Sequence, residues 1–280
     1  MNLIPRLPLA NGIDAFVDWL KNADGLFKGV TAVIRFFVDQ LSAGLSVLPE
    51  WLFILMITAL AFFATKKKIG LPLFVFFGLF LIQNLGYWND MMLTLSLVLT
   101  SAGISVVFGV PIGIWMAKNK TTENVVTPIL DFMQTMPAFV YLIPAVVFFG
   151  IGMVPGVIAS VIFAMPPTVR LTNLGIRQVS TELIEAADAF GSTPMQKLFK
   201  VQLPMAKKTI MAGVNQSIML ALSMVVIASM IGASGLGTKV YYAVGRNDAG
   251  GGFEAGIALV IVAIILDRLT QSFNRQKGTA

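Results

Sequence analysis

Neither cysteine nor histidine occurs anywhere in the 280 residues. The first absence removes disulfides and thiol nucleophiles, the second removes imidazole bases, and together they remove the usual zinc ligand sets. No catalytic or metal-binding constellation emerges from what is left. Charge is scarce too: 12% of residues are charged against 56% hydrophobic, and mean hydropathy is +0.82. Soluble domains carry about twice that share of charge, so the chain reads as an all-α, polytopic membrane protein. What charge there is leans positive, with a net +6 and a pI near 9.6. The Lys and Arg residues stand in short loops beside apolar runs rather than in one basic patch. Membrane topology accounts for that distribution better than a nucleic-acid partner does.

Asp14, Asp18 and Lys21 interrupt the N-terminal stretch before an apolar core long enough for a secretory signal can form. Ile13, Phe16, Val17 and Leu20 instead fall at helical spacing. A second stripe, Val30, Val33, Ile34, Phe37, Leu41 and Leu45, follows Gly25 and Gly29. Residues 1–47 are therefore expected to form one or two amphipathic helices at the outer membrane surface. A helix packed on the rest of the protein fits the same pattern. A span through 28–48 would carry Lys28, Arg35, Asp39 and Gln40 into hydrocarbon, each at high cost.

Apolar segments follow at about 48–65, 71–88, 91–117, 132–152, 156–173, 209–232 and 254–270, each near the roughly 20 residues that cross a bilayer core. About seven spans are thus expected after the interfacial helix. The first is short, and the fifth carries Pro166, Pro167 and Arg170 near its end. Basic residues favour cytoplasmic loops, and Lys66–Lys68, Lys118 with Lys120, Arg170 through Lys208, and Arg268, Arg275 and Lys277 all alternate onto one side. That places the N-terminus outside and the C-terminus in the cytoplasm.

The same rule puts a polar stretch, Thr181 to Pro204, in the cytoplasm. It reads as two short helices. Ser180 or Thr181 can cap the first, and Glu182 and Glu185 suit its positive end. Gly191 permits a turn, Thr193 and Gln196 form a capping box around Pro194, and Pro204 is expected to stop the second helix. Leu183, Ala187, Phe190, Leu198 and Phe199 supply apolar knobs. From the residues alone this is either a helix shaped for another protein's groove or an ordinary amphipathic loop helix.

The spacing of Glu185, Ala186, Ala187, Gly191, Val201, Leu203 and Pro204 resembles the EAA loop of bacterial ABC importer permeases: EAA, three residues, G, nine residues, I, one residue, LP. Val201 departs conservatively from the Ile. The likeness extends over roughly 90–270. There Asp131–Pro144 (DFMQTMPAFVYLIP), Met165–Val179 (MPPTVRLTNLGIRQV) and Ile231–Gly237 (IGASGLG) look like permeases of glycine betaine and proline betaine importers. The resemblance implies a MetI-like permease core at 90–270, with the coupling loop at 180–205, two accessory spans at 48–89 and a cytoplasmic tail at 271–280. It implies a multi-pass subunit of the bacterial cell membrane, present as two copies. Two cytoplasmic ATPase subunits would bind ATP and Mg, and a substrate-binding protein would dock on the outer face. The chain itself would hold no cofactor. Glu185 would pair with a basic residue of the ATPase, the alanines would allow close docking, and Gly191 would set the turn.

Other readings are weaker. Gly232 to Lys239 runs Gly-Thr-Lys where a Walker A motif needs Gly-Lys-Ser/Thr. Gly232-Ala233-Ser234-Gly235 spells the GxSG of rhomboid-like proteases but has no His to activate the serine. A secondary transporter would show repeated halves and a mid-membrane coupling charge, and neither is evident. A membrane scaffold would use the same cytoplasmic helix without moving solute.

For a quaternary ammonium solute, Trp115, Phe132, Phe139 and Tyr141 offer cation–π surfaces. Gln134, Asn215, Gln216, Ser217 and Ser223 are polar groups within or at the ends of spans, suited either to a pathway wall or to interhelical hydrogen bonds. Gln134, Phe139, Tyr141, Asn215, Ser217 and Ser223 are the candidate pathway residues. Two copies would frame the path with Met136 to Pro144 and Asn215 to Ser223. Another small solute, such as an amino acid or choline, would use the same machinery.

Overall fold

A computed structural model describes residues 9–21, 24–65 and 68–275, and every element among them is helical. Lys66, Lys67 and Lys277, used above for orientation, lie outside the described residues, as do 276–280 of the expected tail. Two helices, α1 (Leu9–Lys21) and α2 (Asp24–Ser46), make up the N-terminal region. The second is not free on a surface: it packs on the core helices, with Ile34 and Val38 buried. Helices α3 (Glu50–Ala64) and α4 (Gly70–Asn84) pair with each other and lean on the last helix.

The core begins with α5 (Trp88–Lys118), whose 31 residues extend about 46 Å at 1.5 Å per residue. It continues through α6 (Lys120–Thr135), α7 (Ala138–Phe149), α8 (Met153–Arg177), α9 (Thr181–Ala189), α10 (Pro194–Lys197), α11 (Leu203–Ser229), α12 (Leu236–Gly245) and α13 (Ala249–Arg275). Helix α8 is the central post, in extensive contact with both α5 and α11.

All seven apolar segments are helical, but they are not seven unbroken crossings. Among the described residues four stretches are long and apolar enough to cross alone: 88–118, 153–177, 194–229 and 249–272. Two bent pairs, 25–46 with 50–64 and 120–135 with 138–149, raise the number to at most six. Helix α4, at 15 residues, is short of the length a crossing needs.

The expected single span at 132–152 is instead two helices bent by 101°. Pro137 disfavours helical backbone at the residue before it, and Met136 is extended, at φ −66° and ψ 135°. The Tyr141 hydroxyl reaches the carbonyls of Met133 and Met136 that the break leaves without helical donors.

Lipid gives apolar helices little reason to associate, so close contact depends on small residues and shared hydrogen bonds. At Gly113 of α5 an added Cβ would lie 2.6 Å from the Val169 carbonyl oxygen of α8, so only glycine lets these helices approach as they do. Between α8 and α11 the Thr168 and Ser217 hydroxyls meet at 2.6 Å, and Ser217 donates to the Ala164 carbonyl beside Pro166 and Pro167. Most hydroxyls buried in α5, such as Ser96, Ser101 and Ser105, donate to the carbonyl one turn back at 2.8 Å.

Candidate functional site

The polar loop leaves α8 at Arg177 and enters α9 at Thr181. Ser180 occupies the N-cap position, but its side chain makes no cap hydrogen bond. Helix α9 ends at a turn where Gly191 has φ +72°, the left-handed conformation glycine tolerates at no steric cost. Thr193 then opens α10 with a complete capping box: its Oγ1 accepts from the Gln196 amide, and its own amide donates to Gln196 Oε1.

Pro204 does not end the second helix. The chain runs from α10 through a π-helical turn, Leu198–Gln202, straight into α11, with Pro204 in the first turn of that helix. The wider turn shifts the hydrogen-bond register there, so the missing proline N–H breaks nothing. The loop is thereby fused to a core helix instead of hanging from it.

Of the expected contact residues, Glu182, Glu185, Ala186, Gly191 and Pro204 are exposed, Val201 and Leu203 are half-buried, and Ala187 is buried against the protein. Phe190, 90% exposed, projects beside them. The face bearing Glu182, Glu185 and Ala186 is thus uncovered, while Ala187 seats the helix. An ion pair between Lys197 and Asp188 ties α10 back to α9.

One cluster next to the loop was not foreseen from the sequence. Glu123, in the first turn of α6, accepts from Lys120 Nζ at 2.9 Å, from Asn173 Nδ2 at 3.3 Å and from the Arg177 guanidinium. Those hydrogen bonds, Lys120 foremost and then Arg177 and Asn173, hold its carboxyl far below the ordinary 4.5, at about 2. Asn119 caps the same helix through Thr121 N and Thr122 N. A second tie, Asp131 to Arg170, joins α6 to α8. Glu123 is one of two acidic residues, with Asp131, between the cations of that loop and the apolar run at 132–152. The Glu123 carboxylate was a visible signal, but its partners on α8, Asn173 and Arg177, lie 50 and 54 residues away.

The candidate pathway residues divide into two groups. Asn215 donates to Asp267 of α13 at 2.9 Å, Ser217 is fully buried between α8 and α11, and Tyr141 is buried at the α6–α7 break. These three are turned into the protein. Gln134 is half-buried, and Phe139 and Ser223 are exposed. On α11 and its C-cap, Ala212, Gln216, Ser223 and Met230 are exposed and fall four or seven residues apart, which leaves one uncovered face with two polar groups on it. On α7 the uncovered face carries Phe139, Val140, Ile143 and Val147.

On the opposite end of α11 the IGASGLG stretch forms a tight turn. Gly232 and Gly235 have φ +85° and +138°, and the Leu236 amide donates to Thr94 Oγ1 of α5 at 2.8 Å. Lys239 of α12 lies 3.4 Å from Asp90.

The family of binding-protein-dependent transport system inner membrane components matches residues 109–278. The chain is 67% identical over 275 residues to a glycine betaine/carnitine transport permease protein of Listeria monocytogenes serotype 1/2a (strain 10403S), covering 98% of both. It is 58% identical over 278 residues to a glycine betaine transport system permease protein of Bacillus subtilis (strain 168), covering 99% of this chain and 98% of the relative. A glycine betaine/proline betaine permease protein of Escherichia coli (strain K12) shares 46% identity over 270 residues, 96% and 76% of the two chains. Among solved structures, an inward-facing methionine ABC transporter aligns with a TM-score of 0.61 at 24% identity, over 70% of this chain and 95% of that one. That last likeness is one of fold.

Proposed function

The chain belongs to the family of binding-protein-dependent transport system inner membrane components, and from its likeness to glycine betaine permeases we propose that it carries glycine betaine or a related quaternary ammonium solute inward. It is the permease subunit of an ATP-driven importer and holds no ATPase of its own. Two relatives named for glycine betaine match it over 98% of their own length, which supports that substrate class over amino acids or choline.

The observation that carries the mechanism is the exposed α9 face fused to a core helix. Glu182, Glu185 and Ala186 are uncovered, Ala187 and Leu198 anchor the loop, and the π-helical turn through Val201 makes it continuous with α11. In this reading the ATPase, with ATP and Mg bound in it, holds that face. Its closure pushes α9 and α10 as a unit, and α11 moves because it shares their backbone. Gly191 sets the angle, and Leu203 and Pro204 begin the helix that moves.

Two copies face each other across the uncovered stripes of α7 and α11, with Phe139, Gln216 and Ser223 toward the path and Gln134 near its end. Tyr141, Asn215 and Ser217 hold the walls in place. The N-terminus lies outside, the loop and the C-terminus lie in the cytoplasm, and a substrate-binding protein delivers solute to the outer face around α12.

The test is uptake of radiolabelled glycine betaine by proteoliposomes holding this chain, its ATPase and its binding protein. ATP-dependent uptake, competed by proline betaine or carnitine and not by methionine, is the expected result. Uptake that follows an ion gradient without ATP would refute the reading. Assembly and ATPase activity without uptake of any betaine would refute the substrate.

A further inference from the structure

Helices α2 and α5 pack on each other, and along their contact lies an open cleft of about 740 Å³. That size falls within the range of about 300–1,000 Å³ typical of ligand pockets. Its walls are almost entirely apolar, from residues of 25–41 on α2 and 99–108 in the middle third of α5. The recess exists because side chains are missing. At Gly25, Gly29 and Gly103 an added Cβ would meet nothing within 4 Å. Further along α5, Gly109 and Gly113 do the opposite, for there a Cβ would collide with α8. The glycines lining the α2–α5 cleft leave room; those facing α8 remove it.

Thr100 lines the same cleft. It is 4% exposed, and its hydroxyl makes no hydrogen bond, whereas Thr94, Ser96, Ser101 and Ser105 of the same helix all bond one turn back. A water molecule needs about two to four polar partners to be held in a cavity, and this one offers a single hydroxyl. On the rims Val33 and Val107 are left 57% and 66% exposed. The opposite face of α2 carries Lys28, Thr31, Arg35 and Asp39, so this helix turns its polar side away and its apolar side to the recess.

We propose that the cleft between α2 and α5 is a binding site for one acyl chain of a membrane phospholipid. The occupant must be apolar along its length, flexible enough to follow an irregular wall, and abundant at the depth of mid-α5; a lipid tail has all three properties. The bound chain completes the packing between the N-terminal region and the core.

The experiment is photolabelling of the full importer in nanodiscs with a phosphatidylglycerol that carries a diazirine in mid-chain, followed by peptide mapping. Label should concentrate in 25–41 and 99–108, above that on Leu73 and Phe77 of α4, which are exposed and stand for ordinary lipid contact. Gly29→Leu and Gly103→Leu fill the recess and should cut cleft labelling about tenfold, as displacing a leucine's worth of chain contact does, with α4 unchanged. The ratio in the unmodified protein tests the site even if a filled variant fails to assemble. Cleft labelling no higher than on α4, or insensitive to filling, overturns the proposal. So does disulfide formation between copies at Val33→Cys, clean in a chain without cysteine, because it would seat a second protomer there.

Discussion

Lys197 of α10 meets the carboxylate of Asp188 across the turn at Gly191, joining the two short helices of the loop into one body. The proposed coupling role requires a loop that does not flex, and this pair spans the turn at which flexing would occur.

Exposed ion pairs are worth about 0–1 kcal/mol, so breaking this one should leave folding intact. Asp188→Asn is expected to lower uptake per ATP hydrolysed roughly 5-fold, the effect of about 1 kcal/mol in coupling. The pair Asp188→Lys with Lys197→Asp should restore it. Parallel ATPase and uptake assays read both outcomes.

Gly191 should accept asparagine better than valine. A left-handed backbone costs most residues roughly 1–2 kcal/mol, while Asn visits it readily and a β-branched side chain is worst placed there. Gly191→Val should abolish ATP-driven uptake with the protein still in the membrane, and Gly191→Asn should keep most of it.

Glu123→Gln should lower the height of the uptake profile against pH without changing its shape between pH 5 and 8. The folded carboxyl is depressed to about 2 from 4.5, so its contacts are complete above 4.5 and lost only as pH falls toward 2. A limb between pH 5 and 8 that disappears in the variant would contradict the assignment.

At the other end of the core, Thr94→Val keeps the shape of a buried side chain and strands the Leu236 amide. An unsatisfied buried donor costs about 1–3 kcal/mol, so the apparent melting temperature should fall, whereas Thr94→Ser should keep it. Thermal scans of the solubilised protein decide this.

Because the chain has no cysteine, single replacements report on exposure directly. Gln216→Cys and Ser223→Cys should react with a water-soluble maleimide and be protected by glycine betaine. Ser217→Cys, fully buried, should stay unlabelled.

Most of the architecture was legible because hydropathy marks apolar helices and caps mark their ends. The Thr193–Gln196 box and the Gly191 turn stand where the residues put them. What hydropathy cannot register is direction. It ran through Met136 and Pro137 as one span where the chain bends by 101°. It also gave no sign that Asn215 turns to Asp267, 52 residues on, while Ser223, two turns along the same helix, stays uncovered. Pro204 misled for another reason. Proline ends a helix when the register is fixed, and here a π-helical turn moves the register first.

Glu185 stands uncovered on the α9 face through which the ATPase would act. Uptake and ATP hydrolysis should be measured together in one set of proteoliposomes for the unmodified chain and for Glu185→Ala. Coupling through the α9 face predicts that uptake collapses while the ATPase either detaches or hydrolyses without transport. Normal uptake with normal hydrolysis in the variant would contradict it.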